Sequence, residues 1–358
     1  MTQANINLDD VETMKKADPR GMMGFIQGLP EQCREAWEMA SRVDIPGDFA
    51  AARNIVVAGL GGSAIGGDLL RTLAGPELNI PVVVSRDYDL PGFVDRDSLV
   101  IASSYSGNTE ETISSYQAAR ARNAKILCIT SGGKLAELAA GDGVPVIRIP
   151  GTLVPRAALG YLFIPTLAVL GKLGLIADKS GDLAEAVDVL IELRKVLGPE
   201  SPGSVNQSKR LAARMLDKIP VIYGSSGWPG TAALRWKCQI NENSKTYAVS
   251  NIFPEMNHNE TVGWGAPRGI AGQLYVVLLR DKGDHPRVQK RMEITKSLMA
   301  NASGIDEVWS TGGSELARLL SLIYVGDFAS AYLAFLYGVD PTPVAAIDYL
   351  KGELAKVK

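Results

Sequence analysis

The chain has 358 residues, of which 46% are hydrophobic and 21% charged, and its formal net charge is −2. Those proportions are those of a globular chain, and the length suits two ordinary domains. The near-neutral balance, with no lysine–arginine block, gives no basic footprint for nucleic acid. Two histidines and three cysteines leave no H-x-H, H-x-x-x-H or C-x-x-C spacing for an intrinsic zinc or iron site.

From the N-terminus, MTQANINLDDVETMKK carries no apolar run and does not read as a secretory signal. Residues 1–50 read as helical; Pro30 opens a helix with apolar spacing at Ala36, Met39 and Val43. From Asn54, short β-rich runs alternate with helical stretches: NIVVAG, PVVVS, SLVIASS, KILCIT and VPVIRIP. Such alternation predicts a parallel sheet covered on both faces. The stretch from Ala157 to Leu175 is the most apolar. Arg156 bounds it and Pro165 and Lys172 interrupt it, so a buried helix fits better than a membrane span. A helix around Leu183 to Val196 leads into the patch GPESPGS, which reads as a linker. A second series follows, with IPVIYGSSG, QLYVVLL and DEVWSTG as strands. NIVVAGLGGSAIG and IPVIYGSSGWPG are alike, each a strand running into a small-residue turn, which predicts a duplicated α/β unit. Two closing helices complete the chain. The expected organisation is an N-terminal helical segment (1–50), a first α/β domain (51–180), a connecting helix and linker (181–205), a second domain (206–338) and a C-terminal helix (339–358).

The turn after the first strand, Gly59-Leu60-Gly61-Gly62-Ser63-Ala64, fits G-x-G-x-x-A. Its glycines let the backbone approach a phosphate, and the next helix's N-terminus supplies N–H donors. That phosphate could belong to a dinucleotide or to a sugar. The segment Ser103-Ser104-Tyr105-Ser106-Gly107-Asn108-Thr109 places several hydroxyls on one strand-to-helix loop, as phosphate oxygens require. Asn108 and Glu111 fit a capping box, but a cap does not explain the hydroxyls before it. Arg156, entering an apolar stretch, needs an anionic partner, either a protein carboxylate or a ligand oxygen. Glu242 ends a helix, where the dipole's negative end suits a proton acceptor. His258 lies in a polar loop whose neighbours Asn257, Asn259 and Glu260 could fix its tautomer. His285, in DKGDHPR, reads as exposed and inert. Cys33, Cys128 and Cys238 read as buried free thiols in a reducing compartment.

GGSAIGGDLL and SYSGNTEET resemble the two phosphosugar-binding loops of the sugar isomerase (SIS) domain. Together with VPRAALGYL, NENSK, EMNHNE and DPTPV, in that order, they resemble the bifunctional phosphoglucose/phosphomannose isomerase family over nearly the whole chain after residue 50. The resemblance implies two SIS domains, each a parallel sheet sandwiched by helices. It also implies a homodimer with its active site between domains and near the subunit interface, while the unpaired cysteines point to the cytoplasm. The implied substrate is a sugar 6-phosphate, with no cofactor, metal, nucleic acid or membrane. Gly61, Gly62, Ser63, Ser104, Ser106 and Thr109 would hold the phosphate. Glu242 would be the base, and His258 of the other subunit would open the ring. Arg156 would face the enediolate. Thr342 and Pro343 would shape the region near C1 and C2, and Lys351 would assist at the ring oxygen. Alternatives are another SIS isomerase or a non-catalytic phosphosugar binder.

Overall fold

The computed structural model describes residues 6–267 and 269–356. Among them, nine strands form two separate, wholly parallel sheets. β1 (Asn54–Ala58), β2 (Val82–Ser85), β3 (Ser98–Ser103), β4 (Lys125–Thr130) and β5 (Val146–Arg148) lie in the order β2-β1-β3-β4-β5. β6 (Ile219–Ser225), β7 (Val249–Phe253), β8 (Leu274–Arg280) and β9 (Gly304–Trp309) lie in the order β7-β6-β8-β9. Unbroken apolar runs require cover on both faces of a sheet. In β1, Ile55 and Val57 face one core while Val56 and Ala58 face another. The inner faces of both sheets share a single core with helices Leu29–Arg42, Gly62–Ala74, Leu159–Lys172, Ser180–Leu197, Trp228–Asn243 and Glu315–Leu336. Helices Glu110–Ala121 and Gly133–Gly141 close the outer face of the first sheet, and Pro286–Leu298 that of the second. The result is the α/β arrangement of two helix-flanked parallel sheets that the alternation predicts.

Three local features depart from expectation. The N-terminal helix buries Leu29, Cys33, Ala36 and Ala40, while Met39 and Val43 are only half-buried. Small residues at this spacing let it lie close against Leu159–Lys172, so size rather than hydrophobicity picks the face. The segment is no appendage: Tyr324 donates to the Gln27 carbonyl (3.0 Å) and Lys209 pairs with Asp9 (3.1 Å). The patch GPESPGS is fastened, since Asn206 donates to Gly198 O (3.1 Å), Lys209 to Pro199 O (2.8 Å) and Gly203 N to Asp9 (2.7 Å). β7 was not among the expected strands; Ser250 and Asn251 interrupt its apolar run, which a strand at the sheet edge tolerates. The first closing helix forms where expected, as Glu315–Leu336; it is long and apolar enough to cross a membrane, and its apolar window is wholly buried within the fold.

Candidate active site

The chain reverses its lateral direction between β1 and β3, and open α/β sheets bind ligands at the carboxyl ends of such a pair. Gly61, Gly62 and Ser63 follow β1, and Ser104, Ser106 and Thr109 follow β3, so the fold brings the six to the carboxyl end of this strand pair, where a ligand crevice would lie. The two loops pass closely: a Cβ on Gly59 would stand 2.7 Å from Ser103 O and 3.0 Å from Ser63 Cβ. Ser63 is buried in the first turn of Gly62–Ala74, where its hydroxyl bonds no described residue. Ser104 Oγ lies 2.9 Å from Thr109 Oγ1 and accepts from Gly107 N at 3.1 Å; exposed Ser106 Oγ accepts from Asn108 N at 3.3 Å. Gly107 has φ +70°, and a Cβ there would fall 1.8 Å from Gly132 O, so only glycine closes this loop against the one after β4. Thr109, not Asn108, is the N-cap residue of Glu110–Ala121. The expected Asn108–Glu111 capping box does not form, because Asn108 Oδ1 accepts instead from Lys134 N across the loops (2.9 Å).

A second cluster adjoins these loops. A Cβ on Gly62 would stand 2.6 Å from Pro155 O, and the next residue is Arg156. Arg156 is 4% exposed. Its Nε donates to Asn243 Oδ1 (2.6 Å), and its Nη2 donates to the carbonyls of Pro341 (2.7 Å) and Thr342 (2.8 Å). Its Nη1 stands 3.6 Å from Glu242 Oε2 in the last turn of Trp228–Asn243, so its anionic partner within the chain is a protein carboxylate. Burial draws the Arg156 pKa down, against the pull of Glu242 and Asp340. Thr342 is buried beside it; its Oγ1 has no partner, and its N–H donates to Asp340 Oδ1 (2.9 Å). Pro343 follows, half-buried. Arg156, Glu242 and Thr342 thus converge from three distant segments. Two further members, Asn243 and Lys245, lie one and three residues past Glu242. Lys245 has φ +56°, and its Nζ donates to the carbonyls of Glu242 (2.7 Å), Asn243 (3.2 Å) and Pro341 (2.7 Å). Burial, then Arg156, pushes its pKa down to about 8, against Asp340 and Glu242. Both sit inside the motif NENSK, which was the signal available for them.

Residues 48–141 match the SIS domain model, and residues 204–354 match the bacterial phospho-glucose isomerase C-terminal SIS domain. A bifunctional phosphoglucose/phosphomannose isomerase of Caldicellulosiruptor bescii is 51% identical over 338 residues, covering 94% of this chain and 100% of that protein. The chain belongs to the bifunctional phosphoglucose/phosphomannose isomerase family. A member from Aquifex aeolicus is 41% identical over 317 residues, covering 87% of this chain and 94% of that one. In fold, the chain resembles the C-terminal domain of glucosamine-fructose-6-phosphate aminotransferase from Francisella tularensis, with TM-score 0.72, 14% identity, and coverage of 89% and 97%.

Two residues of the implied isomerase set stand apart from this cluster. Among the described residues, neither His258 nor Lys351 makes a side-chain hydrogen bond or ion pair. His258 is exposed at the end of the turn Glu255–His258, just past β7; Lys351 is exposed on Ala345–Leu354 beside exposed Tyr349 and Leu350. The neighbours of His258 point elsewhere. Asn257 donates to Thr295 Oγ1 (2.9 Å) and Thr261 Oγ1 (3.1 Å), Asn259 donates to Glu255 (3.0 Å), and Glu260 accepts from Tyr223 and from Asn251. They pin the turn rather than the imidazole. His285 is exposed but not inert, since its Nδ1 accepts from Arg287 N (3.1 Å) and caps Pro286–Leu298. Cys33 and Cys128 are buried free thiols pushed up to about 12 chiefly by burial, whereas Cys238 is only half-buried. Among the described residues no three His, Cys, Asp or Glu side chains gather as a metal site.

Proposed function

We propose that this chain interconverts glucose 6-phosphate and mannose 6-phosphate with fructose 6-phosphate through a cis-enediolate. The observation that carries the reading is the convergence of Arg156 Nη1, the Glu242 carboxylate (3.6 Å apart) and the unpartnered Thr342 hydroxyl, next to two loops that carry serine and threonine. The phosphate would rest on Ser63, Ser104, Ser106 and Thr109, with the N–H groups after Gly61 and Gly62 facing its charge. Glu242 would take the proton from C2 of the aldose and return it to C1, while the hydroxyl proton moves from O2 to O1, leaving the ketose. General-base transfer of this kind contributes about 10²–10⁴-fold. Arg156 would hold the enediolate charge, a role for which a pre-fixed cation needs no reorganisation.

The two aldose phosphates share one enediol and differ in which face of C2 carries hydrogen. Thr342, smaller than a glutamine or arginine, would leave slack there for both. The exposed His258, held on a pinned turn, suits delivery into the site of a second subunit, where it would open the sugar ring; Lys351 would act at the ring oxygen. A homodimer is therefore part of the proposal. Three unpaired thiols support a reducing, cytoplasmic setting.

Formation of fructose 6-phosphate from each aldose phosphate tests the reading. Turnover of only one removes the dual role, and turnover of neither removes the reading. Glu242→Gln should lose turnover while still binding a hexitol 6-phosphate.

A further inference from the structure

Arg156 has one nitrogen without a hydrogen bond among the described residues. Its Nε is spent on Asn243 Oδ1 (2.6 Å) and its Nη2 on the carbonyls of Pro341 and Thr342 (2.7 and 2.8 Å). Among the described residues Nη1 is ion-paired with the Glu242 carboxylate, at 3.6 Å. A guanidinium is planar, so fixing Nε and Nη2 fixes where Nη1 points. Asn243 is completely buried next to Glu242, and its amide is not free to turn. Its Nδ2 donates to Ser330 Oγ (2.9 Å), and that hydroxyl donates to Asp327 O (2.7 Å). The Asp327 carboxylate accepts from Arg235 (2.6 Å) and Gln239 (3.1 Å), and Arg235 donates in turn to the Arg156 carbonyl (3.1 Å). The chain of bonds therefore closes on both the side chain and the backbone of Arg156.

We propose that Asn243, backed by Ser330, is a positioning residue for the isomerisation, holding the Arg156 guanidinium in the plane that aims Nη1 at the enediolate oxygen. This rests on the role given to Arg156 above. A neutral amide suits the position: it accepts from Nε without placing a second anion on the guanidinium to compete with Glu242 and the ligand.

The test uses full-length Asn243→Ala and Ser330→Ala proteins, with melting temperature recorded beside kinetics. Two probes separate positioning from folding: a hexitol 6-phosphate, which carries the phosphate and no enediolate-like charge, and a five-carbon aldonohydroxamate 5-phosphate, whose planar anionic head resembles the enediolate. The expected result is a fall in kcat of about 10–100-fold, as small misplacements of a catalytic group produce, with KM little changed. Hydroxamate affinity should fall with kcat while hexitol phosphate affinity holds. A folded variant with parental kcat, or one that weakens both probes alike, overturns the proposal. If Asn243→Ala does not fold, Ser330→Ala, which removes the amide's anchor and that hydroxyl's bond to Asp327 O but leaves Asn243 in place, carries the same comparison. Arg156→Ala distinguishes the two failures. Parental kcat and hydroxamate binding in that variant would remove Arg156 from the enediolate altogether, whereas loss there with an inert Asn243 removes only the positioning.

Discussion

Arg156→Ala and Glu242→Gln remove opposite ends of one ion pair, yet their costs to the fold should differ widely. Arg156 is 4% exposed and supplies Asn243 Oδ1 and Thr342 O with their donors; Pro341 O keeps Lys245 at 2.7 Å. Truncation therefore orphans two buried acceptors at about 1–3 kcal/mol each, or about 2–6 kcal/mol together. Relief of the buried guanidinium's desolvation returns part of this. The Glu242 side chain is 30% exposed and stands 3.6 Å from its partner, so its loss should cost no more than the ~0–1 kcal/mol of a solvent-reachable pair. Urea denaturation of both variants reads the difference. Turnover should fall in both, by about 10²–10³-fold for a fixed donor and about 10²–10⁴-fold for a base. An Arg156→Ala protein as stable as the parent would mean that the bonds around the guanidinium do not hold this site together. A Glu242→Gln protein losing several kcal/mol would make Glu242 a structural residue.

Gly107→Ala should abolish phosphate-ester binding and destabilise the fold by at least the ~1–2 kcal/mol of a left-handed backbone, since its Cβ would also meet Gly132 O at 1.8 Å; parental KM for fructose 6-phosphate would contradict this. Asp327→Ala strands the Arg235 guanidinium and should cost about 3–5 kcal/mol, while Arg235→Met/Asp327→Leu should be milder; equal denaturation midpoints for the two would count against a buried pair. Lys245 titrates near 8 in the fold against 10.5 in the open chain. Between those values the unfolded state binds more protons, so this group's contribution makes stability rise with pH from about 8 to 10.5. Lys245→Met should flatten that rise in denaturation midpoints measured at pH 8 and 10, and an unchanged slope would show that the ammonium is not held as described.

The sheets are legible in the sequence because parallel strands buried on both faces are written as unbroken apolar runs, as in NIVVA and KILCI. β7 is not, because an edge strand carrying Ser250 and Asn251 has no such run. The meeting of the loops after β1 and β3 is legible because their hydroxyls and glycines are contiguous on two βα turns. The Asn108 cap misleads because the bond to Lys134 joins two loops that local spacing cannot relate. The contact of Arg156 with Glu242 is likewise invisible to spacing: it depends on Gly62 admitting Pro155 and on helix Trp228–Asn243 ending beside the 340–343 turn. Arg156 shows only that it needs an anion, and the fold decides which one. Asn243 and Lys245 are in plain view in NENSK, but their work is to bond carbonyls and a guanidinium brought in by tertiary packing.

The account turns on one proton carried by one carboxylate between neighbouring carbons. Hydrogen exchange at C1 of fructose 6-phosphate in deuterated water, followed by proton NMR in the parent and in Glu242→Gln, reads proton removal from the opened ketose without requiring release of an aldose product. Exchange is predicted in the parent and none above background in the variant, with hexitol 6-phosphate binding intact in both. Exchange at the parental rate in Glu242→Gln would contradict the account.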